Sequence, residues 1–122
     1  MAFTIENKSA QKVLLITASG FFKMDEALQF IRELKSTIAG IGNTSSYHLV
    51  INARDQKTVA QDVQNVLAQA IDIYMNTPFK SRQSVVFDSV ISKSQILRLG
   101  NQDVATKFEF HDTLDAALAK CR

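Results

Sequence analysis

Apolar positions along the chain recur at spacings of two, three and four, and they divide it into nine short segments. Residues 3–7 and 13–19 read as two strands joined by the polar connector Lys8-Ser9-Ala10-Gln11-Lys12, whose length predicts an antiparallel hairpin. After Gly20, the residues Met24, Ala27, Leu28, Ile31, Leu34 and Ile38 fall on one helical stripe, which Gly40 and Gly42 are expected to end. A loop at 43–46 leads into an aliphatic strand over 47–53. Next, Val59, Val63, Val66, Leu67, Ala70, Ile71 and Tyr74 repeat at helical spacing, and the only proline, Pro78, follows them. Residues 84–88 read as a further strand around Val85-Val86-Phe87. Residues 90–99 read as a shorter helix closed by Gly100 and Asn101, and residues 107–110 as a half-exposed strand. Asp112 is expected to cap a last helix that turns Leu114, Ala117, Leu118 and Cys121 inward.

The resulting order, β-β-α-β-α-β-α-β-α, defines an α/β class. Helices between successive strands imply right-handed crossovers, so the expectation is a mostly parallel sheet of four to five strands with an N-terminal antiparallel hairpin and four helices. The unbroken run Val13-Leu14-Leu15-Ile16 predicts burial on both faces of the sheet. Residues 1–122 hold no linker, repeat or low-complexity tract and are read as a single domain.

Composition changes this picture little. Apolar residues make up 46% and charged residues 21%, an ordinary globular mix, and a formal net charge of +2 is a weak footprint for a nucleic-acid binder. One cysteine, Cys121, makes neither an internal disulfide nor a thiolate metal site, which points to a reducing compartment and a cytoplasmic location. The first eight residues lack the pattern of an export signal. No apolar run approaches the ~20 residues of a membrane span. His48 and His111 are not ligand-spaced, the four glycines form no phosphate loop, and no Gly-x-Ser-x-Gly elbow presents a nucleophile. No enzyme activity, cofactor or metal is expected.

The element order, the Gly20-Phe21-Phe22 exit from the hairpin into the first helix, and a polar strand end running directly into the second helix together resemble the STAS domains. That family is typified by anti-sigma-factor antagonists of the SpoIIAA type, and the resemblance covers nearly the whole chain. It implies a small cytoplasmic module that binds another protein or a small ligand instead of turning over a substrate. In the best-known antagonists, the turn after the third strand carries an Asp-Ser-x-Gly type motif whose serine is phosphorylated. The corresponding stretch, residues 52–59, has neither the Asp-Ser pair nor the glycine.

Several polar positions compete for function. Thr58, with Gln61 three residues on, matches a capping box; a phosphoacceptor at a helix start is the competing reading, and the cap is preferred because nearly every helix start needs one. Asn52, Arg54, Asp55, Asp88 and Ser89 lie at carboxyl ends of expected strands, where open α/β sheets place ligand crevices. Solvated loops and caps account for the same residues, and that plainer account is favoured. Phe21 and Phe22, and Tyr74 with Met75, are candidates for a dimer or partner surface, set against the commoner role of apolar residues in the core. Lys80, Arg82, Lys93 and Arg98 make only a dilute basic region. The preferred reading is a non-enzymatic module binding a protein partner or itself near the third strand end and second helix. The alternative is a small-molecule or lipid-binding domain with an apolar pocket near Phe79, Phe87 and Ile91.

Overall fold

The computed structural model describes residues 3–56, 60–85, 108–111 and 113–121, with Arg54 and Gln56 described through their backbone alone. Five strands form one sheet in the order β1-β2-β3-β4-β5: β1 (Phe3–Lys8), β2 (Val13–Gly20), β3 (His48–Gln56), β4 (Ser81–Val85) and β5 (Glu109–His111). β1 runs antiparallel to β2, and every later neighbour is parallel. The sheet is therefore mixed, with the hairpin at one edge, as the spacing of the first two strands predicts.

Three helices are present among the described residues: α1 (Met24–Ile41), α2 (Gln61–Asn76) and α3 (Leu114–Ala119). The helix expected over 90–99, which would make the fourth, lies outside the described residues. Sequential strands are spatial neighbours, so the crossovers through α1 and α2 step in the same direction. With a common right hand they land on one face of the sheet, where they pack together.

That face carries the main core. Leu14, Ile16 and Ala18 of β2, with Leu49 and Ala53 of β3, meet Ala27, Phe30, Ile31 and Leu34 of α1 and Val63, Leu67, Ala70, Ile71 and Tyr74 of α2. Phe3, Phe22 and Phe30 close its β1 end, with ring centroids 5.0 to 6.2 Å apart. The opposite face holds a smaller cluster, Val13, Leu15, Val50 and Val85 under Ala117 of α3. All four residues of 13–16 are thus buried, two on each face, as the sequence predicts for a central strand.

Local differences from the sequence reading have local causes. α1 continues through Gly40 to Ile41 and stops at Gly42, whose φ of 75° suits only a residue without a Cβ. α2 starts at Gln61 with Ala60 in the capping position, so Thr58 is not its N-cap; Thr58 and Val59 lie outside the described residues. The cap of α3 is Thr113, whose hydroxyl accepts the Ala116 N–H at 3.2 Å, in place of the expected Asp112. β4 begins at Ser81, three residues before its expected start.

Candidate functional site

At the carboxyl end of the sheet, β2 and β3 finish side by side. Ser19 pairs with Asp55 and Gly20 with Gln56, just after a register shift between Thr17 and Ser19. Gly20 adopts a φ of 66°, which redirects the chain, and Phe21 and Phe22 then part company. Phe22 is 5% exposed within the aromatic cluster, whereas Phe21 is 66% exposed. Asn52 and Asp55 stand on the last part of β3, half-buried and exposed respectively, with the backbone of Arg54 between them. This brings Asn52, Arg54, Asp55 and Phe21 to one end of the molecule. Thr58, Asp88 and Ser89 lie outside the described residues.

α2 follows directly from this end. Its outward residues, Asp62, Asn65, Gln69, Asp72 and Asn76, are exposed at three- and four-residue spacing, and the helix contains no Lys or Arg. Asp62 accepts the Val63 N–H at 2.9 Å, and Gln61 donates to Asn65 at 3.2 Å. The stripe is thus amide-rich and mildly acidic.

Tyr74 takes no part in that surface. It is 5% exposed, its ring edge-on to Phe108 with centroids 6.4 Å apart, and burial pushes its phenol pKa far above the ordinary range. Met75 is half-buried against the same core. The Tyr74 and Phe22 side chains therefore face inward because their spacing continues the core stripe, and only Phe21 of the four aromatic and sulfur candidates stands clear of the fold. Phe79 is also a core residue, beneath the Arg82 guanidinium at 6.0 Å; Phe87 and Ile91 lie outside the described residues.

Two polar groups that sequence reasoning left aside sit elsewhere. His48 Nδ1 lies 2.5 Å from Ser81 Oγ at the amino ends of β3 and β4, the far end of the sheet from Asp55. Burial first, then the charge of Lys80, holds its pKa below the ordinary 6.5. Gln83, 1% exposed, places its amide between His111 Nε2 at 2.7 Å and Glu109 Oε1 at 3.4 Å, a satisfied core network. The signal for it is a glutamine two residues before Val85 on a buried face. Cys121 donates to the Ala117 carbonyl at 3.6 Å, and burial, reinforced by Glu109, raises its pKa; it is a packed thiol. No group of three or more metal-ligating side chains occurs among the described residues, and no helix there is long and apolar enough to cross a membrane.

The sheet order and the paired helices on one face define an α/β domain with the SpoIIAA-like fold. The chain is similar over 99% of its length, and 93% of the other's, to an uncharacterized protein of the DUF3478 family with a SpoIIAA-like fold from Shewanella loihica PV-4. The TM-score is 0.69 at 18% identity. An anti-sigma factor antagonist from Mycobacterium paratuberculosis matches 98% of the chain over 92% of its own, with a TM-score of 0.61 at 20% identity. No protein-family model matches the sequence, and no curated protein is significantly similar to it.

Proposed function

We propose that this chain is a non-enzymatic regulatory module that binds a protein partner at the carboxyl ends of β2 and β3 and along the outward stripe of α2. The observation that carries the reading is Phe21. A phenylalanine 66% exposed beside a fully buried neighbour is held in water by the turn at Gly20, at the strand-end position where α/β sheets bind. An aromatic anchor surrounded by a polar rim is a recurrent arrangement at protein-binding surfaces. Asn52, Arg54 and Asp55 stand on the adjoining end of β3, and the sequence reading adds Thr58, Asp88 and Ser89 to the residues proposed to contact the partner. Likeness in fold to an anti-sigma factor antagonist supports a regulatory role, and the single cysteine supports a cytoplasmic one.

Site-specific photocrosslinking tests this in the source cells. A photoreactive phenylalanine at position 21 should give a discrete protein adduct that the same residue at Ser36, on the exposed side of α1, does not. Equal adducts at both positions, or none at 21, reject the assignment. Native mass spectrometry of the purified chain addresses the alternative: a retained apolar molecule would favour the ligand-binding reading over this one.

A further inference from the structure

Among the described residues the sheet has two edges, and they are built differently. β5 is three residues long, a short edge that offers little to another strand. β1 is six residues long, contains no proline, and keeps an unbroken register with β2 from Phe3↔Ala18 to Lys8↔Val13. Among the described residues it pairs on that side alone. Its outer side therefore presents a row of main-chain donors and acceptors.

Edges of this kind are commonly guarded by like charge, which repels a second copy. β1 instead carries one charge of each sign two residues apart on one face, Glu6 and Lys8, their side chains 53% and 39% exposed and 3.8 Å from each other. The face bearing the helices is occupied at the intervening position, where Asn7 accepts the Tyr47 hydroxyl at 2.9 Å. We propose that this edge pairs antiparallel with β1 of a second copy about a two-fold axis at Asn7, joining two five-stranded sheets into one.

Charge selects that register. An axis at Asn7 sets Glu6 opposite the partner's Lys8 and Lys8 opposite the partner's Glu6, with Cβ atoms of directly opposed residues about 5 Å apart. An axis at Glu6 or at Lys8 would oppose like charges. An axis at Ile5 would leave Lys8 beyond the end of the partner strand, and a one-residue slip would set the α1 and α2 face of one copy beside the α3 face of the other. The contact is short, so the dimer is a weak one that forms and dissociates with concentration. Its position leaves Phe21 and the outward stripe of α2 of each copy free.

Cross-linking reads the register directly. In a Cys121→Ser background, chains carrying Glu6→Cys are mixed with chains carrying Lys8→Cys and mildly oxidised. The mixture should give a disulfide-linked heterodimer well above the homodimer from either variant alone, because the remaining Lys8 and Glu6 still pair across the axis. Sedimentation of the unmodified chain should show a concentration-dependent rise toward twice the monomer mass. Glu6→Lys or Lys8→Glu should abolish that rise, and the two exchanges together should restore it. A monomer at every concentration, self-association indifferent to both charges, or cross-linking no greater in the mixture than in the separate variants would overturn the proposal.

Discussion

Arg82 on β4 holds the end of α2 through Tyr74: its Nε donates to the Tyr74 carbonyl at 2.8 Å while Nη2 donates to the Thr77 carbonyl at 2.6 Å. These carbonyls belong to the helix end, where no intrahelical N–H remains for them. One planar guanidinium thus satisfies two acceptors and ties the helix to the strand that follows it. Arg82→Ala should destabilise the fold by about 1 to 3 kcal/mol, the range for hydrogen bonds to a charged group. Arg82→Lys should recover less than half of that, since an ammonium does not reproduce the fork. Urea unfolding with an unchanged m-value checks both.

His48 makes stability depend on pH. Its folded pKa lies below the unfolded value near 6.5, chiefly by burial and secondly through Lys80. In that situation the unfolded chain binds the proton more readily. The contribution of His48 is therefore complete above about pH 6.5 and declines as pH falls below it toward the folded pKa. His48→Gln should flatten this part of the stability profile, measured by denaturation between pH 7.5 and pH 5; an unaltered slope would assign the dependence to another group.

Adjacent phenylalanines should respond in opposite ways. Phe22→Ala removes a ring from the Phe3–Phe22–Phe30 cluster and should cost about 3 to 5 kcal/mol. Phe21→Ser, at an exposed position, should change stability by less than about 0.5 kcal/mol. The second variant should still lose the partner, read as loss of the adduct formed by a photoreactive residue placed at Asp55, with thermal melts of the same variants alongside.

Gly20→Ala isolates the turn that presents Phe21. An added Cβ would meet nothing within 4 Å, so sterics against the rest of the fold are absent, yet the φ of 66° penalises any residue with a side chain. A loss of about 1 kcal/mol is expected from backbone conformation alone. An equal loss in Gly40→Ala, at a helical glycine with similarly open surroundings, would contradict that cause.

What the sequence discloses follows the strength of its periodicity. The hairpin, α1, α2 and the two-faced burial of 13–16 were legible because long apolar repeats have only one way to hide. Start points were not, because capping is degenerate: Asp112 and Thr113 are both good caps, and the choice depends on which start brings Ala117 down onto Val50 and Val85. α2 begins at Gln61 after Ala60, which offers no side-chain cap, against the capping box centred on Thr58. Ser81-Arg82-Gln83 precedes the strand expected from Ser84, and it belongs to that strand because Arg82 reaches the end of α2 while Gln83 meets His111 and Glu109. At the candidate site, the sequence located the strand end but not which of two neighbouring aromatics faces water. That depends on one dihedral angle, at Gly20.

The order β1-β2-β3-β4-β5 also bears on how the chain reaches its fold. Among the described residues each strand docks beside the one synthesised just before it, with no gap left in the sheet for a later strand to fill. The hairpin with α1 and β3 already encloses most of the main core, and later segments add to one growing edge. Only the hairpin closes a short loop, and each parallel pairing must bridge a longer crossover, so those steps come more slowly. The earliest edge to form, that of β1, is then the one open longest to a second copy.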